Sequence, residues 1–145
     1  MKIATIIARS LLGLIFITFG SNMFLHFIQV PPPPEGPARE LMMALFVSHY
    51  LYIVGIMQIV GGGLLLSGWR VPLGLTVLVP VILNIVSFHA LMAPAGLPLA
   101  LVVSAFALFL LWRYRSAFAG LLKDVPARAD SHGHQGAVGV ATANS

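Results

Sequence analysis

Residues 11–30 read LLGLIFITFGSNMFLHFIQV, twenty positions without one Lys, Arg, Asp or Glu. Wound as an α-helix at 1.5 Å per residue, such a run is about 30 Å long, the thickness of a bilayer's hydrocarbon core. The apolar character reaches back to Ile3, broken only by Arg9. Pro31–Pro34 follow, and proline, which lacks an N–H and fixes φ, predicts the end of the helix. The block reads as a span and not as a cleaved signal peptide. It is long for a signal's apolar region, and no A-x-A site precedes the prolines.

Three further blocks of the same kind follow. They are Leu51–Leu66, closed by Ser67 and Gly68, then Val71–Met92, which contains Pro80, then Leu97–Trp112. The whole composition agrees with a chain made mostly of such blocks. Of 145 residues 59% are apolar and 8% charged, with a mean hydropathy of +0.96. A soluble domain carries roughly 25% charged residues, so a water-facing surface is excluded, as is a disordered chain. The partner implied is the lipid bilayer. The net charge is +4, yet the basic residues form no aromatic-interleaved cluster, so nucleic acid is not a partner. Cysteine is absent, which removes disulfides, thiolate metal sites and dithiol chemistry from this chain.

Lys and Arg also predict an orientation. Lys2, Arg9, Arg70, Arg113, Arg115, Lys123 and Arg128 fall on one side of four spans and Arg39 on the other. Positive loops stay in the cytoplasm, so both termini are expected inside. Trp69, Trp112 and Tyr114 then mark the inner interface, and Tyr50 and Tyr52 the outer one. The expected fold is all-α, an integral membrane up-down four-helix bundle, N-in and C-in, with a short interfacial helix in the first loop. Pro37 suits the first position of that helix, and Ser48-His49 its end. Residues 1–122 form the four-span domain. Residues 123–145, rich in Ala, Gly and Ser, read as a disordered cytoplasmic tail in which His132 and His134 are incidental.

Polar side chains within the spans need a reason, because lipid offers them no partner. Asn22 stands thirteen residues beyond Arg9, Asn84 fourteen beyond Arg70, and Gln58 twelve before Arg70. Each therefore lies about 18–21 Å above the inner edge. His26 and His89 lie about 26–28 Å up, near the outer rim. Thr18, Asn22 and His26 recur every four residues and so share a stripe of one ideal helix. Asn84 and His89, five apart, do not share a face. Two readings are open: a polar pocket for a ligand, formed by Asn22, His26, Gln58, Asn84 and His89, or interhelix hydrogen bonds that hold the bundle together. Gly61-Gly62-Gly63 lies mid-membrane and predicts close helix approach, not a phosphate loop. No acid–base pair, nucleophile triad or metal-ligand cluster stands out in the spans, so no intrinsic catalysis is expected.

Three segments together carry a resemblance. Ala8–Phe16 (ARSLLGLIF) with Phe19–Phe24 (FGSNMF), Val54–Gly68 (VGIMQIVGGGLLLSG) and Pro80–His89 (PVILNIVSFH) resemble the first, second and third helices of DoxX-type membrane proteins. The similarity runs over about residues 3–118, in register, with the same long first loop. It implies a small four-helix protein of the bacterial plasma membrane. Some relatives are subunits of quinone-linked or other membrane oxidoreductase complexes, which makes a quinone the implied cofactor and such subunits the implied partners. Gln58 stands where many relatives have Glu, and an amide cannot relay a proton. The expected function is an accessory subunit of a quinone-linked redox complex, with Asn22, Gln58 and Asn84 holding the head group and His26 or His89 at its outer mouth. The alternatives are a structural or stress-related membrane scaffold, a small carrier acting as an oligomer, and a haem held between His26 and His89.

Overall fold

A computed structural model describes residues 1–119. The tail, with His132 and His134, lies outside the described residues. Six α-helices follow in chain order: α1 (Lys2–Leu25), α2 (Pro37–Val47), α3 (Tyr50–Ser67), α4 (Val71–Leu91), α5 (Leu97–Arg113) and the short α6 (Arg115–Phe118). A 3₁₀ turn, Pro94–Gly96, leads into α5. α1, α3, α4 and α5 with its leading turn are each long and apolar enough to cross a membrane, so the chain is a multi-pass membrane protein.

Three blocks lie where the composition places them. The first does not: α1 stops at Leu25, five residues short of the expected Val30. The prolines do not end it. His26 takes a left-handed conformation, φ 50°, while its N–H still bonds to the Asn22 carbonyl at 3.0 Å. The chain leaves the helix there, before Phe27 and Ile28 can extend it. The next break falls as expected. Pro37 opens α2, where a missing N–H costs nothing, and His49 at φ 60° separates α2 from α3.

Each long helix packs on the next, and α5 closes back on α1, so α1 and α4 lie across the ring from each other. The α1–α3 contact is the most extensive and is set by glycines. A Cβ on Gly13 would stand 2.8 Å from the Gly62 carbonyl oxygen, and one on Gly62 would stand 2.7 Å from the Gly13 carbonyl. Gly20 and Gly55 repeat the arrangement at 2.8 and 3.0 Å. Seven residues separate the glycines on each helix, and the pairs run in opposite order, so α1 and α3 are antiparallel neighbours with backbones nearly touching. Such an approach admits Cα–H···O contacts that a side chain would prevent. One turn face away, Gly61 receives Leu78 of α4: a Cβ there would lie 2.5 Å from Leu78 Cγ. Gly63 meets nothing within 4 Å. Two glycines of the run therefore seat neighbouring helices, and the third does not.

The core between the helices is apolar, with Leu12 and Phe16 of α1, Leu65 of α3, Leu75 and Leu78 of α4 and Leu110 of α5 fully enclosed. The outside is apolar too, with Leu14, Ile56, Leu83, Val102 and Leu108 all exposed. In water such a surface would be a vast sticky patch; in lipid it is matched to its solvent.

Arg9 and Arg70 meet at the end of the ring where α3 turns into α4. Arg9 lays its guanidinium on Gly68 in the α3–α4 turn, so closely that a Cβ on Gly68 would collide with it. Gly68 is left-handed, φ 70°, and its N–H bonds to the Leu65 carbonyl. A cation beside the last carbonyls of α3 opposes the negative end of the helix dipole. Arg70 sits 4.7 Å over the Trp69 ring in the same turn, and Arg115 sits 5.1 Å over Trp112. Beyond the other end, Arg39 bonds to Glu35 at 3.1 Å and to the Pro33 carbonyl at 3.3 Å, bracing the polyproline segment against α2.

Candidate functional site

The five candidate residues do not converge. Asn22 is half-buried near the end of α1, and both ends of its amide are engaged by one residue. Oδ1 accepts from the Ile28 N–H at 2.6 Å, and Nδ2 donates to the Ile28 carbonyl at 3.2 Å. The backbone must fold back to make this pair, which explains why α1 ends where it does. Asn22 is a clamp on the helix exit.

His26 is exposed in the left-handed position that terminates α1, and Thr18 is exposed as well, so the expected stripe of Thr18, Asn22 and His26 does not face the bundle. His89, half-buried in the last turn of α4, lies with Nδ1 2.9 Å from the Ala93 carbonyl. Its ring lies against Gly96, where a Cβ would strike it. It stitches the end of α4 to the start of α5. His26 is exposed beyond α1 and His89 is held in the α4–α5 turn, on helices that lie across the ring from each other. Asn84 is exposed on the outer face of α4, and α4 lies across the ring from α1, so the expected amide layer does not form. Equal height would not have been enough, because depth does not fix direction around a helix.

Gln58 is the exception. It is 4% exposed, and among the described residues only it and Thr5 are polar and buried. Thr5 bonds to the Met1 carbonyl at 3.0 Å. Gln58 Oε1 is fully enclosed and has no hydrogen-bond partner. Its position is fixed by the glycine contact, since a Cβ on Gly20 would stand 2.9 Å from Gln58 Cβ. A buried amide oxygen without a donor costs about 1–3 kcal/mol relative to a paired one. Turned over, the same amide presents Nε2 at that place. It can thus accept from a hydroxyl or donate to a carbonyl.

Two features were not singled out from the sequence. One is the reciprocal glycine pairing of α1 with α3. Its signal was present in the equal seven-residue spacing of Gly13 to Gly20 and Gly55 to Gly62. The other is the seat of Arg9 on Gly68, which no local pattern announces. Among the described residues no group of three or more His, Cys, Asp or Glu could hold a metal ion. Comparison of the chain with family models, with curated proteins and with solved structures finds no match.

Proposed function

We propose that this chain is a DoxX-like integral protein of the bacterial plasma membrane, an accessory subunit of a quinone-linked membrane redox complex. In this reading the four long helices stand as an up-down bundle across the bilayer. Both termini are cytoplasmic, the Arg9–Arg70 end is inside, and α2 lies along the outer interface. The Lys and Arg asymmetry supports the orientation.

The observation that carries the functional reading is the enclosed, unpartnered Oε1 of Gln58. A quinol hydroxyl can donate to that oxygen, and the turned amide can donate to a quinone carbonyl. Gln58 has no proton to relay, so its role is to bind and orient. The test is to extract the full chain in mild detergent and assay its lipid extract for quinone. Near-equal amounts are expected in the wild type, with a loss of most of it in Gln58→Leu. An extract without quinone, or one that Gln58→Leu leaves unchanged, would end this reading.

A second reading, a structural membrane scaffold, draws on a different observation. Asn22 and His89 are engaged at their own helix ends, by Ile28 and Ala93, as in a protein whose polar groups serve its architecture. Under it, Gln58→Leu alters stability and releases no small molecule.

A further inference from the structure

Asn84 poses a problem that neither reading addresses. It lies three residues past Val81, the midpoint of α4, hence about 4.5 Å from the helix centre. It is exposed, and its amide takes part in none of the side-chain hydrogen bonds of the described residues. An amide pointing into hydrocarbon at that depth has no partner in lipid. It is also not alone. Thr76, Pro80, Asn84 and Ser87 are all exposed and fall within an arc of about 80° on one face of α4. Pro80 has no N–H, so the Thr76 carbonyl four residues earlier has lost its helical donor. The Thr76 hydroxyl donates to the Pro72 carbonyl at 2.9 Å and so does not cap its own residue's oxygen. One outward face, in the middle of a span, thus carries a carbonyl deprived of its usual helical donor, an amide without a side-chain hydrogen bond and a hydroxyl.

We propose that this face of α4 is an interface with a second copy of the same chain, paired through Asn84 about a two-fold axis along the membrane normal. The choice of occupant rests on complementarity. An amide has both a donor and an acceptor, so two Asn84 side chains related by a two-fold satisfy each other with two reciprocal hydrogen bonds. Depth matching is then automatic: every copy with the same orientation holds Asn84 at the same level. Pro80 and Ser87, one turn to either side, are small enough to let the two α4 helices approach. The pairing uses no atom of Gln58 and stands whether or not a quinone binds.

The chain lacks cysteine, so one introduced thiol reports on one face. Ser87→Cys in the full chain, oxidised in native membranes, is expected to give a disulfide-linked homodimer. Ile56→Cys on α3 and Val102→Cys on α5, both exposed, are expected to stay monomeric. Adding Asn84→Leu to Ser87→Cys should weaken dimerisation by about three- to thirty-fold, the range of an interhelix hydrogen bond in lipid, while Asn84→Gln retains it. A monomer at Ser87→Cys, equal linkage at all three sites, or linkage of Ser87→Cys to a different protein would overturn the proposal.

Discussion

Adjacent glycines in one run should respond to the same substitution with opposite signs. At Gly62 a Cβ would stand 2.7 Å from the Gly13 carbonyl oxygen, 3.0 Å from Ile17 Cγ1 and 3.2 Å from the Ile17 backbone nitrogen. Two of those three atoms are backbone, so no rotamer change relieves the contact, and α1 must move away from α3. Overpacking of this kind costs about 1–3 kcal/mol. At Gly63 nothing lies within 4 Å, so alanine meets open space. Both substitutions gain the same helix propensity, about 1 kcal/mol, so it cancels in their difference. Gly62→Ala should therefore be less stable than Gly63→Ala by about 1–3 kcal/mol, or roughly 5- to 150-fold in the unfolding equilibrium. Gly63→Ala itself should match or exceed the wild type. Unfolding of the detergent-solubilised full chain in a denaturing-detergent titration, followed by loss of helical circular dichroism, measures both. Equal destabilisation by the two variants, or a greater loss at Gly63, would refute the glycine-set contact between α1 and α3.

Other perturbations probe the helix ends. Asn22→Leu removes both hydrogen bonds to Ile28 and leaves its N–H unpaired, with an expected loss of about 1–3 kcal/mol and faster hydrogen exchange at Ile28. Asn22→Asp keeps the acceptor for that N–H and should retain most of the exchange protection; protection equal to Asn22→Leu would argue against the clamp. Gly68→Ala should destabilise twice over, by about 1–2 kcal/mol for a left-handed alanine and further by displacing the Arg9 guanidinium. In an Arg9→Ala background only the first effect should remain. Identical losses in the two backgrounds would show that Arg9 does not rest on that turn.

The long helices α3, α4 and α5 were legible in sequence because apolar length is a property of composition alone. The end of α1 was not. Phe27, Ile28 and Val30 are as apolar as what precedes them, and the exit depends on an Asn22 side chain bonding to a backbone group six residues later. The start of α2 at Pro37 was readable because proline acts locally, through its own missing N–H. The candidate site fared differently. Counting residues from Arg9 and Arg70 gives height, and height says nothing about the direction of a side chain around the helix. Gln58 faces inward because Gly55, Gly61 and Gly62 around it fix which faces of α3 meet α1 and α4. Asn84 faces outward because Leu75, Leu78 and Ile82 take the inward side of α4. Those facings are set by tertiary packing, which one sequence does not display.

The membrane arrangement itself is open to direct chemical reading, since the chain has no native thiol. Single cysteines at Glu35, Trp69, Ala95 and Ser116 sample the three connections between the long helices and the segment after α5. Treated in intact cells with a membrane-impermeant maleimide, Glu35→Cys and Ala95→Cys should label, while Trp69→Cys and Ser116→Cys should label only after the cells are opened. Labelling of Trp69→Cys or Ser116→Cys from outside would contradict the inward placement of the basic end, and equal labelling of all four in intact cells would contradict the four-span arrangement.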